Sequence, residues 1–475
     1  MAVYPASIVL LLIWALLSLR RPANGLLVAM AALPFGMFAA VEVSGLSLRA
    51  AHFAAALSLA LITVQHFSTP SQARTVRISP AGLWIFAFAV YGLFSAIFLV
   101  RIFQGQFLVF PVSLGAVGPA TSIHFSSTMA PVWPSSSNIS QLGYVLIACA
   151  YFLFLDAAVR RHGVGWVERA LVAAGALNCG LAALDLAGAD ALLEPVRTAD
   201  YALANEQAVA ALPRVIGGFS EPAPFGAISA AFFGYFAVSY LMSRKPAHGL
   251  LALGNLVCVL LSLSSSGLMS MAVAVLAILA HLRHFTAGGV SRVFSQVAIA
   301  TVCCVIAAFS MILIATPLAD FLAVAADRLF LSKAGSLSGL ERSAWAFSGL
   351  DAFVSSYGLG AGVGSLRSNG LVPVMLGSVG LLGTAFYALF LWFSIARPAR
   401  VLTEADPRRV YLGARVAALT ALTSAMVAAT VPDPDLVLMT FVALAAASWQ
   451  LGRRPAEDDG GFEPARYEMT RKGIA

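Results

Sequence analysis

Residues 371–395 read Leu-Val-Pro-Val-Met-Leu-Gly-Ser-Val-Gly-Leu-Leu-Gly-Thr-Ala-Phe-Tyr-Ala-Leu-Phe-Leu-Trp-Phe-Ser-Ile, with no charged side chain. About 20 consecutive apolar residues suffice for a helix to cross the hydrocarbon core of a bilayer, so this stretch is a membrane span. Similar runs recur along the chain, about thirteen in all, at roughly 4–19, 24–42, 50–66, 81–100, 141–159, 166–187, 223–242, 249–263, 265–282, 295–316, 371–395, 410–430 and 436–451. The pair meeting at Ser264-Ser265-Ser266-Gly267 is short and can also be read as one bent segment. The chain is 60% hydrophobic and 11% charged, with a mean hydropathy of +0.87, outside the range of soluble domains. The expected fold is therefore an all-α polytopic integral membrane protein with about 12–13 transmembrane helices.

Orientation follows from Lys and Arg, because cationic loops near span ends stay in the cytoplasm. With the C-terminus inside, only Arg49, Arg101, Arg197, Arg214, Arg328, Lys333, Arg342 and Arg367 of the 29 Lys/Arg residues lie outside. The pI of about 9.3 is then mainly topogenic, and no nucleic-acid partner is expected. Cys149, Cys179, Cys258, Cys303 and Cys304 all fall in predicted spans, without disulfide or zinc spacing. The first span lacks a basic n-region and reads as a retained helix. The domain plan is one membrane domain over 1–451 and a disordered cytoplasmic tail over 452–475, with external loops at about 102–140, 188–222 and 317–370, the last two carrying most of the charge. No internal repeat of the transporter kind is visible.

Those loops hold the polar motifs. Arg214-Val-Ile-Gly-Gly-Phe-Ser-Glu221-Pro222 precedes the span at 223. In the last loop, Ser338-Gly-Leu-Glu341 is a capping-box pattern opening an amphipathic segment with Leu340, Trp345, Phe347, Leu350 and Phe353, expected to lie along the membrane surface. Gly358, Gly360, Gly362 and Gly364 then alternate, which suits an irregular backbone returning to the next span. This glycine run lacks the Gly-Lys-Ser/Thr ending of a phosphate loop and follows no predicted strand, and the seven histidines form no metal triad. No metal or nucleotide cofactor is expected.

The run Arg342-Ser-Ala-Trp345, Tyr357-Gly-Leu-Gly-Ala-Gly-Val-Gly364-Ser-Leu-Arg367-Ser-Asn369 and Gly380-Leu-Leu-Gly383 resembles the signature region of the bacterial O-antigen polymerase and ligase superfamily. The 214–222 segment looks like that family's earlier external loop. The resemblance covers most of the second half; the first 200 residues match in general layout. It implies an inner-membrane glycosyltransferase with about a dozen spans and two large periplasmic loops, acting on undecaprenyl-diphosphate-linked glycans beside a repeat-unit flippase and a chain-length regulator. Ligases of the family carry a His at a spacing that here falls on Asn369, and no His occurs in 285–475. The departure favours a polymerase joining lipid-linked repeats into O-antigen or exopolysaccharide. The alternatives are a ligase on the same scaffold and a lipid-linked glycan transporter.

The implied reaction needs a base for the acceptor hydroxyl and cations for the departing diphosphate. Arg214, Arg342 and Arg367 suit the second task by their planar, permanently charged forks; the bland alternative is ordinary pairing with loop acids or lipid phosphates. Glu221, placed by sequence at the water–membrane boundary, suits the first through partial desolvation; otherwise it merely favours the dipole of the helix after Pro222. Gly364, Asn369 and Trp345 are expected beside the diphosphate or glycan. Glu341 is read as a capping residue, Arg328 and Lys333 as surface residues, and Asp200 and Glu206 as acids without distinguishing context. Asp156 and Asp185 lie near span ends, within reach of the interface.

Overall fold

The computed structural model describes residues 2–43, 46–68, 78–112, 121–122, 128–199, 214–285 and 337–453. The predicted span at 295–316, Asp200, Glu206, Arg328, Lys333 and the tail beyond 453 lie outside these residues. In chain order the helices are α1 (Pro5–Ser18), α2 (Asn24–Ala31), α3 (Ala50–Ser68), α4 (Pro80–Ile102), α5 (Ser136–His162), α6 (Gly165–Leu186) and α7 (Pro222–Ser243). They continue with α8 (Pro246–Leu261), α9 (Ser265–Phe285), α10 (Leu337–Ser355), α11 (Leu371–Ile395), α12 (Ala405–Ala428) and α13 (Leu436–Leu451). Seven of them, α3 to α7, α11 and α12, are long and apolar enough to cross a membrane; α1, α8, α9 and α13 are shorter apolar helices. The protein is therefore a helical bundle compatible with multiple passes through a bilayer.

α7 lies at the centre, packed against α8, α9 and α12. α13, packed against α5 and α12, is buried on every side from Leu436 to Ser448, the mark of a helix surrounded by other helices. Buried hydroxyls return their protons to the preceding turn, as from Ser229 Oγ to Phe225 O (2.8 Å) and Thr420 Oγ1 to Val416 O (2.8 Å). Such local bonds satisfy polar groups where water is absent.

The all-α expectation needs one addition and two corrections. Two small antiparallel sheets join helix ends. In one, β1 (Ala2–Val3), β2 (Ala39–Val43) and β3 (Leu46–Arg49) pair in the order 1-2-3; in the other, β4 (Leu108–Val109), β5 (Thr121–Ser122) and β6 (Thr128–Pro131) pair in the order 4-6-5. The apolar run at 24–42 is not one helix. α2 stops at Ala31, shortly before Pro34, whose ring removes a donor and clashes with a continuing helix. The chain then runs on as irregular backbone buried in protein, with Met37 N donating to Gly218 O (2.8 Å) and Ala199 N to Met37 O (3.0 Å). The runs at 249–263 and 265–282 are two helices, with a break between them at Leu263 (φ 42°) rather than one bent segment.

The second correction concerns α10. Ser338 lies within the helix rather than at its N-cap. Phe347 is 72% exposed and Leu340 and Leu350 are exposed, while Ser348, Gly349, Ala352 and Ser356 turn inward. α10 packs on α11 through small residues, and a Cβ on Gly377 would lie 2.6 Å from Gly349 O. Among helices in lipid, close approach through small side chains is the driving contact and large apolar ones lose nothing by facing outward.

Candidate functional site

Residues 358–370 form the first wall of the site. Gly358, Gly360, Gly362, Gly364 and Gly370 all have φ between 80° and 98°, a region that only glycine enters freely. Across this run α11 breaks at Gly380 (φ 61°, ψ −166°), and the run lies in the break. Ala361 N donates to Gly377 O (2.7 Å), Gly362 N to Ser378 O (3.0 Å) and Leu381 N to Gly358 O (2.9 Å). Backbone groups opened by the break are thus paired with backbone of the run. α4 accommodates the same run with a π turn over Ser95–Leu99, and Ser95 Oγ accepts from Val363 N (3.4 Å).

Asn138, buried in the first turn of α5, uses its amide twice: Oδ1 accepts from Ser135 N (2.9 Å), and Nδ2 donates to Val363 O (2.7 Å) and Ser365 Oγ (3.0 Å). Gly364 packs so tightly on α5 that a Cβ would lie 2.4 Å from Ser137 O. Asn369 Nδ2 donates to Val427 O (3.3 Å). Gly364 and Asn369, expected beside the substrate, therefore serve here to fix the run against α5 and α12.

The second wall is the loop 214–221, held by a clamp that the sequence did not disclose. Asp185 Oδ2, at the end of α6, accepts from Ile216 N (2.7 Å) and Gly217 N (3.1 Å). Arg197 pairs with Asp185 Oδ1 and donates to Gly217 O (2.7 Å). The Arg197 and Asp185 side chains are each 5% exposed. Asp156 is likewise structural, paired with Arg160 one turn later at 2.9 Å. At the start of the loop Val215 N donates to Leu261 O (3.2 Å), and Arg214 Nε approaches Ser262 O at 3.5 Å.

The two walls meet through charge. Burial holds the Arg214 guanidinium below its usual value; the Glu221 carboxylate opposes that shift and the Arg342 guanidinium adds to it. Arg214 therefore lies within the fields of both. Arg342 and Trp345 stand three residues apart on α10, hence on neighbouring positions of one face. The Arg367 guanidinium lies over the Trp345 ring at 5.1 Å, a cation–π contact. Trp345 Nε1 and Arg367 Nε are both buried without a hydrogen-bond partner among the described residues, two donors available to an acceptor-rich ligand. Glu221 is the N-cap residue of α7 yet makes no side-chain capping bond, and it is exposed rather than partly desolvated as the sequence reading has it.

Sequence reasoning missed a further charged group beside this loop. Val431-Pro-Asp433-Pro-Asp435 joins α12 to α13, and Asp433 pairs with Arg49 at 3.7 Å. Asp435 caps α13 by accepting from Val437 N (3.3 Å). Two carboxylates, each preceded by a proline, just before an apolar span were the available signal. Burial pushes the Asp433 carboxyl up to about 7, with Arg49 opposing and Asp435 reinforcing the shift. The folded protein therefore keeps a proton at Asp433 that the unfolded chain releases near pH 4, so this group lowers stability as pH rises from about 4 to 7. The thermal midpoint of purified protein should fall between pH 5 and pH 8, and Asp433→Asn should flatten that fall. Superimposable pH profiles for the two proteins would show that Asp433 does not titrate in this window.

No protein-family model matches the chain, and no curated protein is found to match it.

Proposed function

We propose that this chain is a glycan polymerase of the inner membrane, joining undecaprenyl-diphosphate-linked repeat units at the periplasmic face. The acceptor hydroxyl oxygen attacks the anomeric carbon of the donor, the bond from that carbon to the diphosphate breaks with inversion, and Glu221 takes the hydroxyl proton. Arg214 and Arg342 oppose the charge growing on the lipid diphosphate as it leaves. Arg367 and Trp345 extend the same surface toward diphosphate or sugar oxygens through their two unpartnered donors. What supports the reading is that Arg214, half-buried, lies close enough to Glu221 and Arg342 for both to act on its charge, a carboxylate and two guanidiniums from one loop and a helix far from it in sequence.

The test is reconstitution. Purified protein in liposomes, supplied with undecaprenyl-diphosphate-linked oligosaccharide, should produce a ladder of longer glycans with inverted linkages. Absence of a ladder, with transfer instead to a lipid A core acceptor, would make the protein a ligase; movement of intact substrate across the bilayer without chemistry would make it a transporter. The orientation is tested separately. A reporter fused after Gly461 should report the cytoplasm, and one active only in the periplasm would overturn the topology.

A further inference from the structure

A partly open cavity of about 190 Å³ lies against the loop that ends on Glu221, bordered by Phe35, Arg49, His52, Phe219, Ser220 and Asp435 among others. It is smaller than the roughly 300–1,000 Å³ of sites for drug-sized ligands, so it admits one small moiety rather than a chain.

His52 is the anomaly. It is 2% exposed, yet neither ring nitrogen has a hydrogen-bond partner among the described residues. Its ring is held edge-on to Tyr144, with centroids 4.8 Å apart, and Arg49 lies over the same Tyr144 ring at 5.4 Å. Buried polar groups are nearly always bonded, so an imidazole fixed in place with both nitrogens unused calls for a ligand.

The other groups narrow its chemistry. Arg49 only donates, Asp435 only accepts, and Ser220 and a neutral imidazole do both. An anion would meet Asp435 and the neighbouring Asp433, whereas a cation would meet Arg49. A neutral, polyhydroxylated ring satisfies every one of them, and Phe35 and Phe219 offer apolar surface to its C–H faces. Ser220 and Pro224, both of which border the cavity, flank in sequence the Glu221 carboxylate assigned to the acceptor hydroxyl.

We propose that this cavity is a subsite for a neutral pyranose, the terminal sugar of the acceptor repeat, held by His52, Arg49 and Asp435 against Phe219. The acceptor role rests on the polymerase reading; the sugar site itself does not, and binding can be measured without turnover.

The experiment uses the full chain in lipid nanodiscs and saturation-transfer difference NMR with the methyl pyranosides of glucose, galactose, mannose and rhamnose. At least one should bind wild type, and both His52→Phe and Ser220→Leu should weaken it by about tenfold or more. Ser220 is on a half-buried loop position, so that variant keeps the test open if the core substitution at His52 fails to fold. The proposal is overturned if none of the four pyranosides binds wild type, if Ser220→Leu leaves binding unchanged in folded protein, or if inorganic phosphate displaces the bound sugar from the cavity. Sugar binding together with a failed reconstitution would keep the subsite and discard the polymerase.

Discussion

Arg342→Ala should lower turnover by on the order of 100-fold, about 3 kcal/mol, with normal amounts of folded protein. The residue is half-buried on α10, beside a second guanidinium. Two like charges brought together cost energy in the resting protein and repay it when an anion appears between them, so the interaction is stronger in the transition state than in the ground state. Arg342→Lys should fail nearly as badly if the planar fork grips two phosphate oxygens, whereas recovery by Lys would mean that net charge alone is needed. Glu221→Gln should stop polymer growth and leave single repeat units, because its carboxylate is neither capping α7 nor buried. Normal polymer from Glu221→Gln at normal protein level would move the base elsewhere, and Asp433 would then be the first carboxylate to examine.

Gly380→Ala should prevent accumulation of folded protein. The residue has φ 61° and ψ −166°, a conformation that costs a residue with a side chain about 1–3 kcal/mol. A Cβ there would also lie 2.3 Å from Gly358 O, so the glycine run would have to leave the break in α11. Gly143→Ala is the matched control: it lies within α5 with nothing within 4 Å of the added carbon, and should raise stability by roughly 0.5–1 kcal/mol. Size-exclusion profiles and thermal midpoints of the two variants separate these outcomes. A monodisperse Gly380→Ala protein melting like wild type would show that the run does not depend on this break.

The spans were legible because length and apolarity are local properties. The predicted boundaries at 371–395 and 436–451 coincide with α11 and α13. The failure at 24–42 is instructive, since hydropathy adds up side chains and takes no account of Pro34 ending a helix. α10 was legible as an amphipathic helix, but its start one residue before Ser338 was not, because a capping-box pattern is short and recurs by chance. Arg214, Glu221 and Arg342 could be picked out as unusual charges, whereas the field of Arg342 at Arg214 depends on where the chain folds α10 relative to the 214–221 loop. Arg49 and Asp433 come from opposite ends of the chain, and no local pattern announces such a pair. The Asp185–Arg197 clamp was hidden for the same reason: its target is the backbone of Ile216 and Gly217, which every sequence possesses.

The pairing of the glycine run also dictates an order of manufacture. Val363 is 225 residues from Asn138 and 268 from Ser95, while Ser368 N and Gly370 N donate to Thr430 O and Ala429 O. At about 5–20 residues per second of synthesis, the ribosome makes α4 and α5 tens of seconds before their partner exists. Until residue 430 has emerged, Ser368 N and Gly370 N lack these acceptors, and a nascent chain halted earlier leaves the end of the run without its partner at the end of α12. Pulse-labelled chains ending at 400 should accordingly be degraded much faster than chains ending at 453; equal lifetimes would mean that the bundle is completed without its last two helices.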